Sequence, residues 1–394
     1  MRPRRVTKNV SVAIAAMCLA LSGSATTAGA SAKPILIGGI GGSTGAYGTT
    51  GIATDYGAEL AVDQLNAQGG LLGRKVAFTF YNDGASATVS AQRFKELVSN
   101  GAVAVDGSPD TGPVTAALAD QYHVPVVGVD DDAGLTIYPH GPSKPPLPWV
   151  WATSLNTFAY GNKVAEYALS HWNSCHGLAL LHDPESYGLG GQAGILQVLT
   201  PAHKKLAVDD AITEDWSTGA TVGLESEITK IKNSGARCVE VWLTPQDAAT
   251  FMETMHTMGD NFTVLGNDEM DSDPTFSNLA RKAGNGAIAP IMTAVLHPDA
   301  ALQAFNKEYK TKFHIAATEF SYASYDGIMI LAKAIKMAKS TDATAIKNAL
   351  NNLKGFNTLM GAVNFSPQQH ATVTTKQLTM VRYDFSTNSW VPVH

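Results

Sequence analysis

The chain has 394 residues, of which 45% are hydrophobic, and its formal net charge at pH 7 is −6. This length and composition supply core for two domains of ordinary size and exclude an intrinsically disordered chain. The net negative charge argues against nucleic acid or an anionic membrane surface as a partner, because both need clustered Lys and Arg.

Residues 1–32 have the features of a secretory signal peptide: a basic start, the apolar run Val10–Leu21 and the cleavage motif Ala30–Ala32. The apolar run is too short for a membrane span, which needs about 20 residues. Cys18 follows Met17 inside this run, whereas a lipoprotein cysteine follows a small residue at the cleavage point. Removal of the leader takes away four positive charges and no negative ones, which changes the net charge from −6 to −10. The sequence therefore predicts a periplasmic protein without a lipid anchor.

Strand-like and helix-like segments alternate through the first half of the mature chain. "KPILIGGI" is followed by "TTGIATDYGAELAVDQLNAQGG", whose apolar residues recur at helical spacing before a Gly-Gly stop. The unit repeats with "KVAFTFYND" and a helix at about 86–98, then "AVAVDG" and a helix at about 111–122, then "VPVVGVD". These strands are apolar almost throughout, which is typical of a parallel sheet covered on both faces.

Five prolines in Pro139–Pro148 interrupt this alternation and predict a surface loop ahead of a domain crossover. The alternation resumes after "WVWATS" with "GLALLHD", "KLAVDDAIT", "CVEVWLT" and "FTVLGND". The last strands, "GAVNFS" and "KQLTMVRYDFSTNSWVPV", suit an antiparallel or edge setting. We therefore expect an α/β protein with two doubly wound parallel sheets, and a small-ligand cleft between them.

Two cysteines, Cys175 and Cys238, remain after the leader, and each stands just before a strand-like run. An exported protein meets an oxidising compartment, and neighbouring parallel strands would bring the two residues together, so we expect a disulfide. The alternative is two separate buried thiols, because the sequence does not give the Cα–Cα distance that a disulfide requires.

The loop "GGIGGSTGAYGTTG" at Gly38–Gly51 contains two motifs that could indicate chemistry. Ser43 lies in a G-x-S-x-G match, but a nucleophile elbow needs a tight strand-to-helix turn and an oxyanion donor from an earlier loop, and both are missing. The glycine spacing and the missing downstream acid do not fit a dinucleotide loop, and no Lys follows for a phosphate loop. We predict no cofactor, and a binding lip whose glycines let backbone donors face a cleft.

Acidic and histidine clusters give no metal motif. The acidic clusters lack the glycine and the closing glutamate of a calcium loop, and the histidines near Cys175 match no common zinc spacing. We therefore predict no metal site at these residues: Asp268, Glu269, Asp271 and Asp273; Asp130 to Asp132; His176 and His182.

The segment "GGIGGSTGAYGTTGIATDYGAELAVDQLNAQGGLLGRKVAFTFYND" resembles the start of periplasmic solute-binding proteins of ABC transporters, in the branch of leucine/isoleucine/valine-binding and amide-binding proteins. "LLHDPESYGLG" is similar to that family's second-lobe signature, and "FSYASYDGIMILAKAI" to its late helix. The likeness covers essentially the whole mature chain in the expected order.

The resemblance implies the type I periplasmic binding fold, with two lobes joined by three crossovers. Lobe one would comprise 33–153 and 291–361, and lobe two 154–290 and 362–394. It implies a monomer without enzymatic activity that captures an amino acid, an amide or a related polar solute and delivers it to a membrane permease. Two alternatives stay open: a periplasmic sensor for a membrane receptor, and a secreted hydrolase that uses Ser43.

The resemblance also implies ligand contacts, nearly all just past strand ends, where parallel sheets bind ligands. In lobe one they fall on Tyr47, Asp110, Thr111, Gly112, Asp130, Asp131 and Asp132, and in lobe two on Tyr187, Thr244 and Asp268. Trp151, followed by Ala152, replaces the family's usual Phe-Arg pair at the crossover.

The acids of lobe one depart from the family pattern. Members that bind α-amino acids present small or hydroxyl residues there for the ligand carboxylate, and an acid at the position of Asp268 for the ammonium group. Two like charges about 4 Å apart in a partly shielded site repel by roughly 4 kcal/mol, so Asp110 or Asp130–Asp132 in the cleft would disfavour a carboxylate ligand. The alternative is that these acids cap helices or face solvent. We expect a neutral or cationic polar solute, stacked on Tyr47, Tyr187 or Trp151.

Overall fold

The structure is a computed structural model and describes residues 32–45, 48–128, 133–153, 155–214, 223–272 and 274–393. The predicted signal peptide therefore lies outside the described residues, apart from its last position. Pro34–His394 form one compact unit.

Strands and helices alternate through most of the described chain. The strands are β1 (Ile35–Gly41), β2 (Val76–Asn82), β3 (Ala104–Asp106), β4 (Val126–Gly128), β5 (Val150–Ala152), β6 (Leu178–His182), β7 (Leu206–Ala211), β8 (Cys238–Trp242), β9 (Thr263–Gly266), β10 (Ile288–Met292), β11 (Phe356–Thr358), β12 (Gly361–Val363), β13 (Leu378–Asp384) and β14 (Ser389–Pro392). The helices are α1 (Gly48–Ala67), α2 (Ala87–Ser99), α3 (Gly112–Tyr122), α4 (Ala133–Ile137), α5 (Thr157–Ser170), α6 (Trp172–Cys175), α7 (Ser186–Leu199), α8 (Glu225–Ser234), α9 (Pro245–Thr257), α10 (Glu269–Ser272), α11 (Pro274–Ala280), α12 (Thr293–Leu296), α13 (Ala300–Phe313), α14 (Glu319–Ala338) and α15 (Ala343–Asn351).

The first sheet has the strand order β2-β1-β3-β4-β5, and all of its pairings are parallel. One face is covered by α1, α14 and α15, and the other by α2 and α3. Alternate residues of one strand enter different cores: Ile35 and Ile37 join the first cluster, and Ile40 the second. We call this sheet and the helices packed on it lobe one.

The second sheet has the order β14-β13-β10-β9-β8-β6-β7. Strands β6 to β10 pair in parallel, whereas β13 and β14 are antiparallel and form one edge. Helices α5 and α7 cover one face, and α8, α9 and α11 the other. We call this sheet and its helices lobe two; β11 and β12 form a separate two-stranded sheet.

The chain passes between the two sheets three times, after β5, between β10 and α14, and between β12 and β13. The third passage is held against the first, because the Ala152 N–H donates to the His370 carbonyl oxygen at 2.9 Å. His370 also stacks on Trp151, with 4.6 Å between the ring centroids.

These observations confirm the predicted α/β class with parallel-sheet cores and antiparallel final strands. Element ends differ from the predicted segments by a few residues; α1, for example, begins at Gly48, one residue before the helix-like segment given above. The residue boundaries given above for the two lobes stay a prediction. Within the described ranges, no helix has the length and apolar character needed to cross a membrane.

The two mature cysteines lie at the amino-terminal ends of neighbouring strands of the second sheet. Leu178 of β6 pairs in register with Cys238 of β8, and α6 ends at Cys175. The structure joins Cys175 and Cys238 by a disulfide with a Cα–Cα distance of 4.8 Å, and both residues are buried. The bond closes a loop that contains α7, β7 and α8.

We expect the double substitution Cys175→Ser and Cys238→Ser to lower the free energy of unfolding by about 2–4 kcal/mol, because the unfolded chain regains loop entropy. Urea denaturation of the oxidised wild type and the variant would measure this difference. Thiol labelling of the unreduced, denatured wild type is the control, and two reactive thiols would contradict the bond.

Candidate functional site

A cavity lies between the carboxyl ends of the parallel strands of both sheets. Its volume is about 330 Å³. Lobe one contributes the segments after β2 and β3, and lobe two the segments after β6, β7 and β9. Parallel sheets bind ligands at this edge, because strand ends, loops and helix starts converge there.

The wall from lobe one is built around Asp110 and Thr111. Asp110 Oδ2 accepts the backbone N–H of Gly42 at 2.8 Å, which ties the turn after β3 to the glycine loop after β1. A Cβ atom at Gly42 would lie 2.9 Å from this oxygen and 3.0 Å from the Ala85 nitrogen, so the close approach requires glycine. The Thr111 hydroxyl lies 2.9 Å from Asp83 Oδ2 and is used within lobe one.

The wall from lobe two contains Tyr187, at the start of α7. Its hydroxyl donates to Asp268 Oδ1 at 2.8 Å, and its ring packs edge-on against Trp242 at 5.6 Å. Asp268 is only 2% exposed, and its second oxygen has no hydrogen-bond partner among the described residues. Burial raises the pKa of Asp268 to about 6, although the Tyr187 hydrogen bond acts in the opposite direction. Asp268 therefore lies directly behind the cavity wall.

Glu214 lines the cavity from the segment after β7. Its Oε1 accepts the backbone N–H of Thr244 at 2.8 Å. Burial, and then the neighbouring Asp247, raise the pKa of Glu214 to about 9, so this side chain carries a proton at neutral pH.

A group of buried acids lies behind the cavity, and we call Glu240, Asp268 and Glu319 the deep acidic group. Tyr160 of α5 donates its hydroxyl to Glu319 Oε1 at 2.5 Å, which connects the start of α14 to lobe two. Burial raises the pKa of Glu319 to about 8 and that of Glu240 well above its usual range. Both oxygens of Glu240 and Oε2 of Glu319 are buried and have no hydrogen-bond partner in the part of the chain that the structure describes. Within the described ranges, no group of three or more metal-ligating side chains could hold a metal ion.

The structure brings together three of the predicted site residues and one immediately behind them. Asp110, Thr111 and Tyr187 line the cavity, and Asp268 bonds to Tyr187. Four further predictions, Tyr47 and Asp130 to Asp132, fall outside the described residues.

Three further predicted contacts do not line the cavity. Trp151 is 0% exposed and lies in the core of lobe one, because its side chain points to the sheet face covered by α14 rather than to the strand end. Thr244 does not line the cavity: its hydroxyl accepts the Asp247 N–H as the cap of α9. Gly112 is the buried first residue of α3 and does not line the cavity either.

Sequence reasoning missed several acids at this site. Glu185 and Glu269 line the cavity beside predicted residues, in "DPESYG" and "GNDEMD", so a search for acids just past strand ends would have found them. Glu214 lies three residues past β7, at the limit of such a search. No local signal marks Glu319, whose position depends on the passage between the sheets.

Two parallel sheets with a cavity between their carboxyl edges define a two-lobed binding protein. The family model described as "Periplasmic binding protein" matches residues 34–388, and the chain belongs to this family. This confirms the family and fold that the sequence motifs indicated.

Individual relatives are more distant. The chain is 26% identical to the Leu/Ile/Val-binding protein homolog 3 of Brucella melitensis, over 86% of this chain and 89% of that protein. It is also 26% identical to the Leu/Ile/Val-binding protein BraC3 of Rhizobium johnstonii, over 82% of this chain and 84% of that protein.

Solved structures are similar in fold. A periplasmic binding protein type 1 from Bordetella pertussis Tohama I has a TM-score of 0.81 at 20% identity, over 92% of this chain and all of that one. A leucine-binding protein LivK from Thermotoga maritima has a TM-score of 0.78 at 16% identity, over 91% of this chain and 98% of that one.

The buried acids make stability depend on pH. The pKa of Glu319 is raised from 4.5 to about 8, so between these values the folded state binds more protons than the unfolded state. The stabilisation from this group is fully present below pH 4.5 and is lost as the pH rises through about 8. The contribution of Glu319 makes the unfolding free energy of the wild type fall as the pH rises. Glu319→Gln should reduce this slope by up to about 1.4 kcal/mol per pH unit near pH 6.

Urea denaturation at several pH values from 5 to 8 would measure these slopes. Glu253→Gln, which changes an exposed acid of α9, is the matched control and should keep the wild-type slope. An unchanged slope in Glu319→Gln would contradict the assignment.

Proposed function

We propose that this protein captures a small polar solute outside the cytoplasm by closing its two lobes, and delivers it to the permease of an ABC transporter. It is a solute-binding protein of the type that serves branched-chain amino acid ABC transporters. The single observation that carries the proposal is the cavity between the carboxyl edges of both sheets. The predicted signal peptide supports export, and we propose that the protein acts as a monomer.

The physical basis of capture is that the binding contacts are divided between the two lobes. A solute in the cavity contacts Asp110 and Thr111 on one side and Tyr187 on the other only when the lobes are close together. Since a ligand shifts an equilibrium by its difference in affinity for the two states, such a solute stabilises the closed form. The permease would then recognise the closed form.

The acids of the cavity favour a neutral or cationic solute. Asp110, Glu185, Glu214 and Glu269 line it, and no Lys, Arg or His is found among the described lining residues. Isoleucine, in the complex solved for the Streptococcus pneumoniae relative, and benzoate, in that for the Rhodopseudomonas palustris relative, both carry a carboxylate. We propose that the solute of this chain, unlike the isoleucine and benzoate of these two structures, carries no carboxylate.

A bound solute should both compact and stabilise the protein. Small-angle scattering should give a smaller radius of gyration with saturating solute, and a solute at 100 times its Kd should add about 2.7 kcal/mol to the unfolding free energy. A panel of amines, amides, polyols and amino acids provides the test. Unchanged dimensions with every stabilising compound would contradict capture by closure.

Tyr187→Phe keeps the ring but removes the donor to Asp268, so it should weaken binding of the stabilising solute by about tenfold. Tyr122→Phe, on the exposed end of α3, is the matched control and should leave the Kd unchanged. Isothermal titration calorimetry measures both values, and equal losses in the two variants would contradict a role for Tyr187.

A further inference from the structure

A second cavity lies where the third passage runs between the two lobes, and we call it the hinge cavity. Its volume is about 260 Å³. Lobe one contributes Tyr138 and Pro142, lobe two contributes residues of α5 and α7, and residues between Gln368 and Thr375 complete the lining. Ligand cavities usually have about 300–1,000 Å³, so a solute here would be small. Among the described lining residues, none is shared with the cavity between the sheet edges.

The third passage is hydrogen-bonded to both lobes at this cavity. On the side of lobe one, the Tyr138 hydroxyl oxygen accepts the backbone N–H of His370 at 2.9 Å. On the side of lobe two, the Thr375 hydroxyl donates to Glu166 Oε1 of α5 at 3.1 Å. A solute held in the hinge cavity would therefore contact lobe one, lobe two and the segment that connects them.

The Tyr138 hydroxyl keeps a proton to donate. Its oxygen accepts two backbone N–H groups, from His370 and, at 3.3 Å, from Ala371. Burial raises the pKa of Tyr138, so the hydroxyl stays protonated at neutral pH. A tyrosine hydroxyl has one proton besides its acceptor sites, and no described residue accepts the proton of Tyr138. The wall of lobe one thus offers a donor to a solute in the cavity.

Asn162 of α5 is the corresponding unpaired side chain of lobe two. It lines the hinge cavity, is half-buried and makes no side-chain hydrogen bond with a described residue. Its Oδ1 is buried and has no partner in the part of the chain that the structure describes. An amide oxygen that loses water without gaining a new donor costs free energy, and a donor in the cavity would remove that cost.

The chemistry of the lining defines the class of solute. Apart from Glu166, which is exposed to water, its polar side chains are amides and hydroxyls, and none of the described lining residues is Lys, Arg or His. A hydroxyl group both donates and accepts, so a neutral polyol can pair with Tyr138 and with Asn162. Phe158 and Val198 add apolar surface for the C–H groups of such a solute.

We infer that the hinge cavity is a second binding site of this protein and that it takes a small neutral polyol. One polyol hydroxyl accepts the Tyr138 proton from lobe one, and another donates to Asn162 Oδ1 of lobe two. Because the solute contacts both lobes, it favours the lobe arrangement in which both contacts form. The inference goes beyond the proposed capture function, since the hinge cavity and the cavity between the sheet edges have separate linings.

Isothermal titration calorimetry with myo-inositol and cyclohexanol tests the inference, because the two probes share a six-membered carbon ring and differ in the number of hydroxyl groups. The wild-type protein should bind one myo-inositol per chain. It should bind this probe at least about tenfold more tightly than cyclohexanol, since the additional hydroxyl groups form hydrogen bonds.

Asn162→Leu and Tyr138→Phe should each weaken myo-inositol binding by about tenfold, because each change removes one hydrogen-bonding group from a different lobe. Asn348→Leu, at an exposed position of α15, and Tyr122→Phe are the matched controls and should keep the wild-type Kd. Thermal unfolding without ligand checks that each variant is folded. Asn162→Leu removes no hydrogen bond of the described chain, so it tests the site independently of Tyr138→Phe.

Absence of saturable myo-inositol binding, equal affinity for the two probes, or an unchanged Kd in Asn162→Leu would each overturn the inference. Loss of myo-inositol binding in Tyr187→Phe but not in Asn162→Leu would assign the polyol to the cavity between the sheet edges. That result would reject the hinge site and support the capture function, so the two proposals fail separately.

Discussion

Carboxylates that face each other across a cleft repel as the cleft closes, and this constraint governs the site. Asp110 on one sheet edge and Glu185 and Glu269 on the other are brought to one cavity by the parallel strands behind them. The described lining offers no positive side chain in return. A solute without a carboxylate therefore avoids like-charge repulsion with these acids when the lobes close.

Two tyrosine hydroxyls hold two members of the deep acidic group, Asp268 and Glu319. Tyr187 bonds to Asp268 within lobe two, and Tyr160 bonds to Glu319 at the passage into α14. Burial raises the pKa of both acids. A change in the protonation of either acid therefore changes both the charge behind the cavity and the hydrogen bond that its tyrosine donates. A buried acid that gains a cationic neighbour regains its charged form, since an opposite charge lowers a carboxyl pKa.

The sequence was sufficient to predict what depends on local pattern. Alternating apolar runs and helical spacing predicted the two parallel sheets. The family resemblance predicted contacts at Asp110 and Tyr187, and the structure places both residues at the cavity. What it missed depends on side-chain direction and on long-range placement. Trp151 was predicted as a ligand contact from the family's crossover position, and the structure places its side chain in the core of lobe one. Glu319 was missed because it reaches Tyr160 only through the passage between the sheets.

The central claim is that the captured solute carries no carboxylate. Native mass spectrometry of the protein purified from the periplasm tests this claim most directly. The account predicts one bound small molecule per chain, released on unfolding and identified as a polar solute without a carboxylate. A released carboxylic acid, such as a branched-chain amino acid or a benzoate, would contradict it.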